Sequence, residues 1–416
     1  MINLCKSLLI ISLGTTLYLV NSLSSAVYGQ AVRKNVTTLT SEEIARFVNA
    51  LDTIKTTTRP GSTIPIYDEF VALHDGVFSF IFEPSVGFNI THGVPAFAPW
   101  HREYLIRFEN ALQSVDPSVT IPYWDWTDPK DLDVILSDNF LGNRGTGETI
   151  TVDGVEYTGG TVTSGVVANW VLDPRINIEP IGLTSLGTDL KRFVEIPPFD
   201  RYPVTQKEIN DLLSIDNYLD FRGVLEGEMT IDENGQVVKG VWRLHNYLHG
   251  VIGGGLVRDL NAEPIPPNQT KILGTMNSIL SSPYDPIFWL HHANVDRLWA
   301  SWQVEHPGAA FYPASGQGIQ QNLDDPMWPW DGGQLTPSSF GPFADLLPLY
   351  PTVPNDDIVT PRDVLEAPGR EYVYDQLASV VSVPEPTMTF GLLGFAALGI
   401  RTKLQRQATM SKRSKS

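Results

Sequence analysis

Apolar residues recur at helical spacing in several stretches of the chain, each bounded by residues that start or stop helices. Thr40-Ser41-Glu42-Glu43 reads as a capping box, and the helix it opens carries Ile44, Phe47, Val48 and Leu51 on one face. A second helical pattern runs through Tyr67, Phe70, Val71 and His74. A third runs from about Ala98 to Leu112, with Leu105, Phe108 and Leu112 as its stripe. A fourth helix covers roughly Trp242 to Val251. The last opens at Asp285-Pro286, an N-cap followed by proline at the first helical position, and ends near Glu305, before Pro307. Between these, the Gly- and Thr-rich run from Gly142 to Gly165 predicts an exposed excursion with short strands. Asn234-Gly235, between Met229-Thr230-Ile231 and Val237-Val238, predicts a hairpin. No internal repeat and no long linker interrupts the pattern, so one mainly α domain with long loops is expected over residues 31–380.

The two ends break the pattern. Residues 1–30 place Lys6 before an apolar run from Leu8 to Val20, then small residues near Gly29 and Ala31, which is the order of a secretory signal peptide. At the other end, within residues 381–416, Val383-Pro384-Glu385-Pro386 precedes a short apolar segment, Thr387 to Ile400, and a basic tail. Fourteen helical residues reach about 21 Å, short of a hydrocarbon core of roughly 30 Å, so a transient anchor is expected rather than a permanent span. This layout resembles the PEP-CTERM sorting tails of Gram-negative bacteria. It implies export and sorting machinery as partners, with a periplasmic, outer-surface or extracellular destination.

The chain has 416 residues, 42% of them hydrophobic, enough for a sizeable core. Its net charge is −18. With the single cation of residues 1–30 and the six of 387–416 set aside, residues 31–386 carry −25. Such a field repels a phosphate backbone, so nucleic acid is excluded as a general partner. The one cysteine, Cys5, lies in the leader. The exported chain then has no disulfide, no zinc–thiolate site and no thiol nucleophile, and any metal must be held by histidine or carboxylate.

Eight histidines fall in groups: His74, His92 and His101; then His245, His249, His291 and His292; and His306 at a helix end. His245 and His249 are four apart on a predicted helix, so their rings leave one face and could chelate one ion. A zinc hydrolase would need glutamate directly after the first histidine, where Asn246 stands. A di-iron carboxylate bundle would need glutamate three residues before its histidines, and none has it. An all-imidazole donor set points to copper, whose oxidation states both accept neutral nitrogen ligands. Six imidazoles split three and three would leave each ion an open position for dioxygen, although spacing alone does not fix the count of metals.

Phe97-Ala98-Pro99-Trp100-His101-Arg102-Glu103-Tyr104 resembles the first copper signature of the tyrosinase family, with His92 nine residues before His101. Asp285-Pro286-Ile287-Phe288-Trp289-Leu290-His291-His292-Ala293-Asn294-Val295-Asp296-Arg297-Leu298-Trp299 resembles the second. Pro122-Tyr123-Trp124-Asp125-Trp126, the segment Val32 to Lys55, and Pro361-Arg362-Asp363-Val364-Leu365 leading to Tyr372 and Tyr374 are further landmarks, so the resemblance spans roughly residues 32–378. It implies a four-helix-bundle dicopper core. Copper A would be held by His74, His92 and His101, and copper B by His245, His249 and His292. Adjacent helical residues point about 100° apart, so His291 is expected to line the pocket or support a ligand rather than bind beside His292. With no cysteine to link to it, His92 is unmodified. Phe221-Arg222-x-x-Leu225-Glu226-Gly227 resembles a turn whose glutamate, with the asparagine at position 246, holds a water that takes the phenolic proton. About ten extra residues separate Glu226 from His245, which weakens that assignment. Ile279, thirteen residues before His292, matches a position that gates the pocket. Asp296 and Trp299 read as packing and supporting residues.

The function this implies is a copper-dependent oxidase of phenols or catechols with dioxygen as co-substrate. Two alternatives stand beside it: a catechol oxidase without monophenol hydroxylation, and a haemocyanin-like oxygen binder. A structural protein that merely kept the signatures is a third. Only about ten residues separate Tyr374 from the sorting mark, too few for a domain that shields the pocket, which favours the enzyme.

Overall fold

The computed structural model describes residues 30–180, 184–234, 236–239, 244–257, 270–339, 341 and 343–380. The sorting-type tail, the leader up to Gly29, Gly235 of the expected hairpin turn and Trp242 of the expected helix start lie outside them.

Helix α1 (Ser41–Thr56) begins as its capping box dictates: the Thr40 hydroxyl accepts the Glu43 N–H at 3.2 Å, and Glu43 Oε2 accepts the Thr40 N–H at 2.8 Å. Its buried face, Phe47, Leu51 and Ile54, covers α2 (Ile66–Ser79) and α3 (Phe97–Gln113). Three shorter helices follow: α4 (Pro129–Ile135), α5 (Gln206–Leu213) and α6 (Tyr218–Glu226). With seven to nine residues each, they complete too few turns to declare a period. Helix α7 (His245–Gly253) starts later than Trp242, α8 (Ile287–Glu305) follows, and two four-residue helices, α9 (Pro361–Val364) and α10 (Ala367–Arg370), come after it.

Helix α8 is buried from Ile287 to Gln303 on every side. A helix without a solvent face belongs at the centre of a domain, and α8 packs against both α3 and α7. Trp289 of α8 stacks on Phe108 of α3 with ring centres 3.4 Å apart, and its indole N–H donates to the Tyr67 hydroxyl of α2 at 3.0 Å. The expected N-cap at Asp285 is shifted: the helix begins at Ile287, although Asp285 Oδ1 still accepts the Ile287 N–H at 3.1 Å. The Asp285 carboxylate also meets the fully buried Arg192 in a forked pair of 2.7 and 2.8 Å. Removing either partner of such a pair leaves a buried charge and costs about 3–5 kcal/mol.

The sheets are small. Strand β1 (Ala31–Arg33) runs parallel to β9 (Tyr372–Tyr374), and the exposed excursion is the β2 (Thr146–Val152) and β3 (Val155–Thr161) hairpin, with β4 (Lys191–Arg192) on its edge. The second hairpin pairs β5 (Met229–Ile231) with β6 (Val237–Lys239), and β7 (Gly255–Val257) pairs with β8 (Thr270–Ile272). Mainly α architecture therefore holds, with a core of α2, α3, α7 and α8. Among the described residues no helix is long and apolar enough to cross a membrane.

Pairing β1 with β9 carries Arg33 into the interior. Its guanidinium donates to Glu109 of α3 at 3.2 and 3.0 Å and to Asp296 of α8 at 3.2 Å, and stacks on the Tyr372 ring at 3.6 Å. Asp296 also accepts from Arg102 of α3 and from the Tyr372 and Tyr374 hydroxyls. Arg102 in turn lies 3.7 Å over the Trp299 ring. Burial pushes the Asp296 carboxyl up, but Arg102 and Arg33 more than offset it and hold it below the usual range. One ionised carboxylate thus ties α3 to α8 directly behind the histidines those helices carry.

Candidate metal centre

Helix α2 delivers His74, α3 delivers His101, and the loop before α3 delivers His92. Their ring centres lie 5.0 to 5.9 Å apart, and one ring nitrogen from each falls within 4.8 Å of the others. Each Nδ1 is tied: His74 to the Leu280 carbonyl at 2.9 Å, His101 to the Phe97 carbonyl at 2.7 Å, His92 to the Thr91 hydroxyl at 2.8 Å. A carbonyl only accepts, so the first two rings must carry their proton on Nδ1 and present Nε2 as a lone pair. Those two Nε2 atoms are buried and meet no hydrogen-bond partner among the described residues. Orphaned buried acceptors grouped this closely are what a cation would satisfy.

The second group is tighter. His245 and His249 leave one face of α7, one turn apart, and His291 and His292 come from α8; nitrogens of all four lie within 4.8 Å of one another. His249 Nδ1 donates to the Met276 carbonyl at 2.8 Å. His245 Nδ1 faces the Glu226 carbonyl at 3.3 Å and Asn246 Oδ1 at 3.0 Å. Both Nε2 atoms are then lone pairs, yet they stand only 3.1 Å apart, and His245 Nε2 is also 3.1 Å from His292 Nε2. Facing lone pairs repel. Two nitrogens each about 2 Å from a shared ion would sit at nearly this separation, so a cation resolves the conflict. Burial holds all seven imidazoles below the usual histidine range, His74 at about 3 and His249 at about 4, so they are neutral donors. Neutral nitrogen donors in this number suit copper. The two groups adjoin: the His101 and His292 rings stack at 4.4 Å.

His291 stands in the second histidine group, against His245. It is fully buried and does not line the cavity, so it cannot face a substrate. Nor does its neighbour's angle keep it away from the metal group. Its ring stacks on His245 at 5.0 Å and within 13°, backed by Trp126 at 5.1 Å and Trp124 at 5.8 Å. His306 is structural, with Nδ1 3.0 Å from the Trp302 carbonyl and its ring stacked on Trp302.

A cavity of about 410 Å³ opens on both groups. His74, His92, His245, His249 and His292 reach it, with Phe78, Phe288 and Ile272 as apolar walls and Ile279 at its mouth, 48% exposed. Phe288 stacks on His292 at 4.1 Å, and Phe78 on His92 at 5.0 Å. Asn246 and Glu226 also line it. The β5–β6 hairpin accounts for the extra residues between them: it loops out and returns the chain, so that Gly227 abuts Asn246. Glu226 is buried, its carboxylate accepting the Gly93 N–H at 2.8 Å and an Arg222 N–H at 2.6 Å. Burial pushes it up to about 7, against the pull of Arg222. Sequence reasoning passed over Glu228, which lines the same cavity and takes the Arg222 Nη1 at 2.7 Å. Arg222 and Glu226 stand four apart on α6, a readable helical pair, but nothing in the sequence places Glu228 beside them.

Residues 65–305 match the family model described as the common central domain of tyrosinase. A tyrosinase of Streptomyces glaucescens is 36% identical over 313 residues, covering 72% of this chain and 92% of that protein. A single-site mutant of a polyphenol oxidase from Thermothelomyces thermophila shares the fold at a TM-score of 0.52 and 22% identity, covering 84% of this chain and 89% of its own. A tyrosinase from Burkholderia thailandensis does so at 0.51 and 18%, covering 86% and 76%. The paired histidine groups and these relatives agree that the chain is an oxidoreductase using dioxygen at two coppers, and it belongs to the tyrosinase family.

Proposed function

We propose that the enzyme both hydroxylates monophenols at the ortho position and oxidises catechols, releasing o-quinones. The overall changes balance as one phenol and one dioxygen giving one o-quinone and one water, and as two catechols and one dioxygen giving two o-quinones and two waters. The observation that carries this reading is the single cavity onto which both histidine groups open, with Glu226 and Asn246 in its wall.

His74, His92 and His101 would hold copper A, and His245, His249 and His292 copper B. When bound, the metal pair supplies the two-electron chemistry with dioxygen. The chain's own residues do the rest. Carbonyls of Leu280, Phe97 and Met276 fix the tautomers and aim of three rings. Phe288 and Phe78 offer aromatic faces against which a substrate ring can lie and exclude water from beside it. A water held between the Glu226 carboxylate and the Asn246 side chain would take the phenolic proton, and Ile279 would gate the mouth. The leader and the tail support an exported product, with residues 31–380 as its catalytic domain.

The test is turnover of tyrosine and of catechol, with and without added copper. Quinone absorbance from both is expected. Catechol oxidised while tyrosine stays untouched restricts the protein to catechol oxidation. Reversible oxygen binding without quinone from either would make it a haemocyanin-like carrier.

A further inference from the structure

Carboxylates outnumber cations among the described side chains that line the cavity. Among the described residues that line it, the charged ones are Glu226 and Glu228. A single guanidinium, Arg222, sits behind them and divides one nitrogen between the two: Nη1 donates to Glu226 Oε2 at 2.6 Å and to Glu228 Oε2 at 2.7 Å. Glu226 has a described donor on each oxygen, since the other accepts the Gly93 N–H. Glu228 does not. Its Oε1 lies over Gly93, so close that a Cβ there would stand 2.6 Å from it, and no described donor meets that oxygen. Gly93 follows His92, and its φ of +74° is one that glycine adopts freely. A larger residue at 93 would both strain the backbone and drive Glu228 off. Arg222 is buried while the Glu228 side chain is 35% exposed, and Glu228 lines the cavity where Arg222 does not. The remaining lining is imidazole, apolar or uncharged.

We infer that Glu228 sets substrate charge preference: the cavity takes phenols or catechols whose side chain ends in an ammonium group, and disfavours those ending in a carboxylate. This rests on the phenol-oxidase reading of the same cavity. The charge of −25 over residues 31–386 acts in the same direction at long range, but it is screened within a Debye length of about 8–10 Å, whereas a carboxylate in the cavity wall is screened far less. A unit charge a few ångströms away across a partly desolvated pocket changes affinity by about tenfold.

The experiment compares the copper-loaded enzyme and its Glu228→Gln variant on dopamine, 4-methylcatechol and 3-(3,4-dihydroxyphenyl)propionate. Copper content serves as the check that the variant folds. The intact enzyme should show kcat/KM falling in that order, by about tenfold or more from amine to acid, and Glu228→Gln should shrink the amine-to-acid ratio about tenfold. In parallel, calorimetry measures binding of 2-phenylethylamine and 3-phenylpropionate, which cannot be oxidised at the ring, to the unmodified protein. The amine should bind more tightly, and the difference should outlast a rise in salt. Equal handling of amine and acid by the unmodified enzyme, or a ratio that Glu228→Gln leaves alone, overturns the inference. If 4-methylcatechol itself is not oxidised, the phenol-oxidase reading fails instead, and the calorimetric comparison still decides the charge preference. Should the variant not fold, the order among the three substrates and the salt series on the unmodified protein decide it.

Discussion

The first histidine trio is drawn from two helices and a loop, and the second group from two helices alone. The first is spread, with ring centres 5.0 to 5.9 Å apart and Nδ1 atoms anchored one by one. The second is crowded: four imidazoles, Nε2 atoms in 3.1 Å contact, and His292 Nδ1 buried without a partner among the described residues. In the first, hydrogen bonds from outside reach every ring; in the second they reach His245 and His249, and ring packing places His291 and His292. The spread trio therefore has no spare donor, while the crowded group has one more imidazole than a three-ligand ion requires.

Substitutions that remove a donor should separate the two groups most sharply. His101→Ala leaves His74 and His92 alone, so one copper per chain should be lost and catechol oxidation should fall by roughly a thousandfold or more. His291→Ala should keep two coppers, because His245, His249 and His292 remain, whereas His292→Ala should lose one. Metal analysis after dialysis decides between them. Loss of a copper from His291→Ala, with two retained in His292→Ala, would exchange the ligand roles on α8.

The next effect lies behind both groups. Asp296 ties α3, which carries His101, to α8, which carries His291 and His292. Asp296→Ala leaves the buried Arg102 without a carboxylate and the buried Arg33 with Glu109 alone, and should cost about 3–5 kcal/mol in denaturant unfolding. The damage should fall on both copper sites together. A variant that unfolds like the parent but has lost copper at one site only would show that the two groups are held independently.

A smaller effect should come from the one anchor in the first trio that is a side chain. Thr91→Val removes the hydroxyl 2.8 Å from His92 Nδ1 while keeping the shape, and should weaken copper at that site about tenfold to a hundredfold in chelator competition. An unchanged affinity would mean that the loop backbone, rather than the hydroxyl, orients His92.

The helices that bear these ligands were legible because caps and periods are local. The Thr40 box and the His245–His249 spacing each declare themselves within a few residues. The anchors were not, since the carbonyls of Leu280 and Met276 carry no side-chain identity, and Leu280 comes to His74 from 206 residues away. The closeness of His291 to the other three rings was not legible for a related reason. A 100° turn at Cα does not fix where a ring nitrogen ends, and stacking on His245 swings it back to the group. The ten extra residues before His245 weakened the case for Glu226 in the sequence, because an insertion shifts spacing along the chain, and the β5–β6 hairpin shows that it does not shift the two ends apart in space. Arg33 gave no sign at all: its partners, Glu109, Asp296 and Tyr372, are brought together only when the first strand meets the last.

The smallest effect should come from Asn246, and it separates two ways of holding a ring. His245 Nδ1 has two acceptors, Asn246 Oδ1 at 3.0 Å and the Glu226 carbonyl at 3.3 Å. Deleting the amide in Asn246→Ala leaves the carbonyl, and His245 is further pinned between the His291 ring at 5.0 Å and Phe97 at 4.9 Å. Copper affinity at the second site should therefore change only about twofold to threefold, well below the Thr91→Val effect at the first. Oxidation of a monophenol should suffer more than oxidation of a catechol, because the same side chain is assigned the water that takes the phenolic proton. If copper binding instead falls as far as in Thr91→Val, the crowded group depends on outside anchors as the spread one does, and the packed rings are not what hold it.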